Sequence, residues 1–240
     1  GYPDFKHYHL QEVCSGKLRK AFPYAISYTR FVTLIPRILL PLCAFLHSIQ
    51  MEFDGLGFID STPIVVCHNK RTGSHKVFRD FAQLGKTTKG WFYGFKLHLI
   101  SNLQGELCAV YITPGNCDDT QPVEKMTATM SGKLFGDKGY IDKKLFDTLF
   151  ERGLQLVTGI RKNMKNQLLP LINKLLLRKR SLIESTNNQL KNVFHLEHSR
   201  HRSPFNGFAN MIAAVVAYVF HPNKPSLQLS KQEHQLAMEA

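Results

Sequence analysis

Acidic residues are scarce in this 240-residue sequence, since 18 Asp and Glu stand against 31 Lys and Arg and leave a formal net charge of +13 at pH 7. Such a balance is atypical of cytosolic enzymes that act on small metabolites, and it favours a polyanionic partner, either nucleic acid or an anionic membrane. Because 43% of the residues are hydrophobic, the chain can still bury a sizeable core.

Paired cysteines are also missing. The five cysteines are scattered and no C-x-x-C occurs. An odd, dispersed set argues against a disulfide framework and against a cysteine-type zinc site. The pattern is typical of a protein kept in a reducing cytoplasm.

Uninterrupted apolar runs of membrane-spanning length are a third absence. The run 31–49 contains Pro36, Arg37 and Pro41, and the run 208–220 is too short to span a bilayer. The first residues also lack the basic-then-apolar order of a signal peptide. The sequence therefore predicts no membrane partner.

Three segments follow from the distribution of apolar and turn-forming residues. Residues 1–50 are predicted to be mostly helical, and the chain starts at Gly1, so we expect this segment to be truncated. Residues 51–221 are predicted to form an α/β domain. Residues 222–240 are polar, and we expect them to form a flexible tail.

The α/β domain is predicted to begin with β-rich sequence. The run 57–67 indicates a strand, with Pro63 as a bulge or strand end. The apolar runs 91–102 and 105–115 are typical of a hairpin. Beyond them we expect a helix capped by Asp118 or Asp119, a strand into Asp137, alternating elements to residue 160, and helices up to residue 220.

Two acids occupy similar places in this pattern. Asp60 in "GFIDST" and Asp137 in "LFGDKGY" each follow apolar strand residues and precede residues that permit a turn. If both strands are central, the two carboxylates converge and repel each other unless divalent cations lie between them. The alternative is that each aspartate caps backbone amides in a turn.

A third acid lies on a basic helix predicted over residues 178–194. Arg180, Glu184 and Lys191 are separated by four and seven residues, so they share one face, and Asn188 lies on it too. The face is either a solvated ladder of ion pairs or a site in which the acid binds a metal while the cations bind phosphates.

These residues resemble the catalytic triad of DDE-type insertion-sequence transposases, with Asp60, Asp137 and Glu184 as the three acids. Arg180, Glu184 and Lys191 match the R-x3-E-x6-K part of the Y-x2-R-x3-E-x6-K signature, whereas Leu177 stands at its tyrosine position. The strings "GFIDST", "CHNKR", "HKVF", "GKTTKGWFYGFKLHLI", "TPGN", "GDKGY" and "SLIESTNNQLK" are most similar to the bacterial insertion-sequence group nine-eight-two.

The resemblance implies a ribonuclease-H-like core with a mixed five-stranded sheet flanked by helices. It also implies two Mg²⁺ or Mn²⁺ ions held by Asp60, Asp137 and Glu184, which cleave DNA and join its 3′-hydroxyl to a target. Expected partners are the terminal inverted repeats, target DNA and at least one further copy of the chain. The expected location is the bacterial cytoplasm, at the nucleoid.

Basic and aromatic residues complete the predicted DNA surface. The residues expected to contact DNA are Arg180, Lys191, Asn188, Lys96, Lys138 and Arg200. Trp91, the only tryptophan, either stacks on an unpaired base near the cut or, as is more usual, fills the core or covers a sheet edge.

Two other functions remain open at this stage. One is a DNA-binding remnant that keeps the fold and the charge but has lost its chemistry. The other is a metal-dependent nuclease that cuts DNA without joining it. Metal binding at the three acids separates the first from a transposase, and strand joining separates the second.

Overall fold

The computed structural model of the chain describes residues 5–88, 90–160, 169–197 and 201–239. Its centre is a mixed β-sheet. The strands are β1 (Leu56–Cys67), β2 (Gln83–Thr87), β3 (Gly90–Asn102), β4 (Leu107–Pro114), β5 (Gly132–Gly136) and β6 (Leu154–Thr158).

Strand β3 organises one half of this sheet, because β1 pairs along one of its edges while β2 and β4 share the other. These pairs are antiparallel. On the far side, β5 is parallel to both β1 and β6, which gives the order β2–β3–β1–β5–β6. The predicted five strands are therefore six. The missed strand, β2, is short and polar. It pairs with the first residues of β3, which extend beyond the part of β3 that pairs with β4.

Strand β1 runs straight past Pro63, contrary to the prediction of a bulge or strand end there. Pro63 lies opposite Lys96 of β3, and the irregularity in the ladder comes later, between Val65 and Cys67. Asp60 therefore lies inside a strand, not at its end as predicted. Parallel pairing with β5 covers only Leu56 to Phe58, so the rest of β1 has β3 on one edge alone.

The two faces of the sheet carry separate buried clusters because neighbouring strand residues point to opposite sides. Phe58, Phe95 and Phe135 belong to one cluster, which the helices around residues 182–218 cover. Ile59 and Leu134 belong to the other, together with Leu145 and Leu149 of a helix. Asp60 shares the first face, because it is two residues from Phe58.

The helices are α1 (Phe5–Tyr8), α2 (Tyr28–Leu34), α3 (Leu39–Ser48), α4 (Val123–Met126), α5 (Lys143–Glu151), α6 (Leu171–Lys179), α7 (Ser181–Asn192), α8 (Pro204–Val219) and α9 (Lys231–Glu239). Helix α5 starts after Asp142, whose Oδ1 caps it by accepting from the amide of Leu145 at 2.8 Å.

Two details of the helical predictions were wrong. The helix expected over 178–194 is divided at Arg180. Helix α4 is one turn long, and Asp118 accepts hydrogen bonds from Thr120 instead of capping it.

Helix α3 packs on α8, and Phe45 stacks on Phe220 with ring centroids 6.1 Å apart. The stretch Tyr28–Ser48 is long and apolar enough to cross a membrane by length and composition, although Pro36 and Pro41 lie inside it. Helices in the core of soluble proteins and signal sequences meet the same criteria. The absence of a membrane partner therefore stays a prediction.

The C-terminal residues are packed, whereas a flexible polar tail was expected. The amide of Leu227 donates to the carbonyl of Leu103 at 2.7 Å, and Ala237 of α9 is fully buried. Buried Lys133 at the start of β5 donates through Nζ to the carbonyl of Ala237 at 2.6 Å. Gly105, in the β3–β4 turn with φ of 73°, lies so close to the carbonyl of Pro225 that a Cβ would collide with it.

Candidate active site

Asp60 lies at the centre of the site because side chains at the start of α7 and within it both bind its carboxylate. One of its oxygens, Oδ1, accepts a hydrogen bond from Nη1 of Arg180 at 3.3 Å. The other, Oδ2, accepts from Nδ2 of Asn187 at 2.9 Å. Only 16% of its side chain is exposed, so this strand carboxylate is held at both oxygens in a largely dry position.

Arg180 joins two of the predicted acids. While Nη1 faces Asp60, Nη2 lies 2.8 Å from Oε1 of Glu184. The break between α6 and α7 leaves Arg180 with helical backbone angles, so it still reaches Glu184 four residues on. The guanidinium therefore forms a cationic bridge between a half-exposed and a nearly buried carboxylate.

Asn187 is a site residue that the sequence prediction missed in favour of its neighbour Asn188. Its side chain is 6% exposed, and its Oδ1 is buried without a hydrogen-bond partner among the described residues. The available signal was its spacing, three residues after Glu184, which places it beside that acid on the inner side of α7. Asn188 points outward and hydrogen-bonds Asn192.

Asp137 follows β5 directly, as predicted. Its Oδ1 accepts a hydrogen bond from the amide of Gly139 at 2.8 Å, which starts a short 3₁₀ turn. This is the capping role that the sequence left open for it. Asp137 also lies within electrostatic range of Asp60, so capping and proximity to the site occur together.

The environment of Asp60 disfavours its charged form. Burial raises its pKa from 3.8 to about 7, and the negative charges of Asp137 and Glu184 act in the same direction. Arg180 and the amide of Ser61 lower it, and their combined effect is smaller. An aspartate held in this state gains most from an added positive charge.

A family comparison fits this arrangement. The family model described as "Transposase DDE domain" matches residues 50–204, which is more than half of the chain. The chain belongs to this family. The matched region, which we call the DDE domain, begins just before β1 and ends at the first residue of α8. It therefore contains Asp60, Asp137 and Glu184.

Two other comparisons add little to the family match. No curated protein matches this chain. Among solved structures, the chain is similar to a piggyBac transposase synaptic complex with hairpin DNA, at 10% identity and a TM-score of 0.46. The match covers 90% of this chain and 59% of that one. At this TM-score the likeness carries no argument.

The donor chemistry of the site fits a hard divalent cation. Asp60, Asp137 and Glu184 offer carboxylate oxygens, which are the ligands that Mg²⁺ and Mn²⁺ prefer, and the unpartnered Oδ1 of Asn187 is a further oxygen at the same place. Throughout the described ranges, no three His, Cys, Asp or Glu side chains lie close enough together to hold an ion. Arg180 is what now neutralises Asp60 and Glu184.

The side chain of Lys191 makes its contacts within the protein. Its Nζ donates to the carbonyl of Pro63 at 2.6 Å and lies 2.9 Å from Oε1 of Glu197. The same Oε1 accepts from the amide of Val65 at 3.2 Å. These contacts attach the end of α7 and the following loop to β1. The expected DNA contact of Lys191 therefore stays a prediction for a side chain that already has partners.

The other predicted DNA contacts divide by position. Lys96 is 12% exposed and engages Asp119 and the carbonyl of Cys117, so it holds the loop after β4. Its expected DNA contact therefore stays a prediction for a side chain that already has partners inside the protein. Lys138 is exposed and lies next to Asp137. Arg200 lies outside the described residues.

Proposed function

We propose that this chain is the catalytic part of a DNA transposase that cleaves DNA and transfers a 3′-hydroxyl to a target strand. The observation that carries the proposal is the bridging of Asp60 and Glu184 by Arg180, inside a domain of the transposase DDE family. A ribonuclease-H-like core, the insertion-sequence group nine-eight-two and a location at the bacterial nucleoid belong to the same proposal. The mixed sheet, with five strand positions across it, supports that core.

Each polar residue of the site has a task in this proposal. Asp60, Asp137 and Glu184 would hold Mg²⁺ or Mn²⁺, which supplies charge neutralisation to the phosphodiester under attack. Asn187 fixes the orientation of the Asp60 carboxylate through its hydrogen bond. Arg180 neutralises Asp60 and Glu184 in the metal-free protein and is then placed beside the DNA phosphates.

The proposed partners are double-stranded DNA, as terminal inverted repeats and target, and a second copy of the chain during joining. The excess of 13 positive charges supports a polyanionic partner. Binding through such charges weakens as salt rises, so affinity must be compared at one salt concentration.

The experiment is a Mn²⁺-dependent nicking and strand-transfer assay on a labelled duplex that carries the end of the element. Wild type is compared with Glu184→Gln, which removes the charge of one ligand at nearly constant shape. The matched control is Glu151→Gln, the same change on the exposed end of α5, which packs against β6. Metal-dependent joining that is lost only in Glu184→Gln supports the proposal.

Two other outcomes identify the alternatives. Cleavage without joining would indicate a nuclease that does not transpose. Tight DNA binding with no cleavage, and no increase in thermal stability when Mn²⁺ is added, would indicate a remnant. The thermal measurement detects metal binding independently of turnover, because a ligand that binds only the folded state raises its stability.

A further inference from the structure

The tip of the β2–β3 hairpin carries the only tryptophan of the chain in an exposed position. Trp91 lies at the second residue of β3 and is 55% exposed. The two commonest explanations of a lone tryptophan, core filling and cover for a sheet edge, both require more burial than this. Single exposed apolar side chains are common on protein surfaces, so a binding function for Trp91 depends on the groups around it.

Trp91 has one side-chain contact and one backbone contact at this position. Nζ of Lys86, directly opposite on β2, lies 5.5 Å from the centroid of the indole ring. Nδ2 of Asn69 donates to the backbone carbonyl of Trp91 at 2.6 Å, which ties this end of β3 to the segment before β2. An exposed aromatic surface with a cation against it is the arrangement on which nucleic-acid bases stack.

The surroundings of the ring are strongly basic. Between His68 and Trp91 the sequence contains six Lys and Arg and a single acid, Asp80. Five of these cations lie in the described residues and are exposed, namely Lys70, Arg71, Lys76, Arg79 and Lys86. A field of this sign attracts phosphates and opposes docking of a second copy of this basic chain.

The patch and the catalytic acids share one face of the sheet but lie far apart. Asp60 is opposite Leu99, and Trp91 lies eight residues further along β3 with the same side-chain direction. At roughly 3.3 Å per residue, eight residues amount to about 26 Å. In B-DNA, at about 3.4 Å per base pair, this distance corresponds to about eight base pairs. Trp91 is therefore not a residue of the cut itself.

From these observations we propose that the hairpin tip, defined here by Trp91, Lys86 and the basic segment 68–79, is a second DNA-binding site. It takes a single-stranded or unpaired stretch, with one base stacked on Trp91 and phosphates on the surrounding cations. The choice of DNA over other polyanions rests on the proposed function. The stacking geometry itself does not depend on catalysis.

The test uses the intrinsic fluorescence of the one tryptophan, in the presence of a chelator so that no strand is cut. The full chain is titrated with a single-stranded oligonucleotide, with the same length of blunt duplex, and with an oligonucleotide of abasic residues that has equal charge. We expect saturable quenching by the single strand, much weaker quenching by the duplex, and none by the abasic strand. Binding of labelled strands is followed in parallel by anisotropy.

Three variants complete the experiment. Trp91→Ala is expected to weaken single-strand binding by roughly 5- to 100-fold, the range for loss of one base–aromatic stack, and to change duplex binding little. Phe150→Ala removes an aromatic ring that is 72% exposed on α5 and serves as the control. Lys86→Ala, which keeps the fluorophore, is expected to weaken binding by a few-fold and to reduce its dependence on salt.

The inference is overturned if bound single strands leave the fluorescence unchanged, or if Trp91→Ala binds them as tightly as wild type. Either result can occur in a protein that nicks and joins DNA normally, so it leaves the proposed function intact. Conversely, quenching by single strands in a protein that cannot cleave would support the hairpin site and count against the catalytic proposal.

Discussion

The side chains near the two ends of β3 differ in the sign and exposure of their charges, although they lie on one face of the same sheet. At the Asp60 end, the acids are hydrogen-bonded and partly dry, and one arginine serves two of them. At the Trp91 end, cations outnumber acids and stay exposed around an aromatic ring. Chemistry at phosphorus needs charges held in fixed positions away from water. Capture of a polymer needs charges that remain available to it.

This contrast also explains why the first candidate site is marked by a buried acid and the second by an exposed aromatic ring. Asp60 is unusual because an acid inside an apolar strand is costly without a partner. Trp91 is unusual for the reverse reason. The largest tests of the contrast therefore change the acids and their immediate partners, and the smaller ones change the contacts that place them.

The largest expected effect follows Asp60→Asn, which keeps the shape of the side chain and removes its charge. We expect metal-dependent nicking to fall by at least about a thousandfold, the upper range for loss of one electrostatic group in an active site. DNA binding at the hairpin tip should be unchanged. Initial nicking rates and single-strand affinity, measured on the same preparation, check both statements, and a parallel loss of affinity would break the separation of the two ends.

A smaller loss of activity is expected for Asn187→Leu, which keeps similar volume and removes the hydrogen bond to Oδ2 of Asp60. Outer residues that orient a metal ligand commonly contribute 10- to 100-fold in affinity or activity. We expect a change of that size in Mn²⁺ affinity, measured by calorimetry, and in nicking rate. Asn188→Leu, on the outer side of α7, is the matched control. Equal effects of the two variants would show that Asn187 does not position Asp60.

Lys191→Met separates a structural lysine from a phosphate-binding one. Loss of the bonds to the carbonyl of Pro63 and to Glu197 should lower the free energy of unfolding by about 1–3 kcal/mol. Chemical denaturation measures this change, with Lys174→Met on the exposed side of α6 as the control. If stability is unchanged while duplex affinity falls, Lys191 binds DNA as the sequence suggested.

The last expected effect is the pH dependence of stability without metal. Because the pKa of Asp60 is about 7 in the folded protein and near 3.8 in an unfolded chain, the folded state holds this proton more tightly. The stabilisation is complete below about pH 4 and is lost as pH rises to about 7. Thermal unfolding in chelator should therefore show wild type losing stability relative to Asp60→Asn between about pH 4 and pH 7. A constant difference would show that Asp60 titrates normally.

Sequence reasoning and the structure agree on which acids lie near one another but not on their contacts. Asp60, Asp137 and Glu184 were singled out by residue type, strand pattern and helical spacing, their grouping as a triad came from the family resemblance, and their role as metal ligands stays a prediction. Asn187 was missed because a polar residue on an amphipathic helix gives no sign of which neighbour it will meet. The partner of Lys96 was missed for a similar reason, since Asp119 lies on a loop whose path depends on tertiary packing.

In the fold too, elements set by local sequence could be predicted, whereas elements set by distant contacts could not. Strands β1, β3, β4, β5 and β6 follow from apolar runs and turns, and α5 follows from its cap. Strand β2 and the packed C-terminal helix do not, because both are stabilised by contacts with distant segments. Lys133 and Ala237, for example, are 104 positions apart in sequence.

The open edge of β1 has a consequence for solubility. Beyond Phe58 no strand among the described residues pairs with β1 on the β5 side, and an unpaired strand edge is a template for pairing with another molecule. Lys191 of α7 and Glu197 bond to the carbonyl of Pro63 and the amide of Val65, and Pro63 itself has no N–H to offer. These two side chains therefore occupy backbone groups that a strand of a second molecule would need for edge-to-edge pairing.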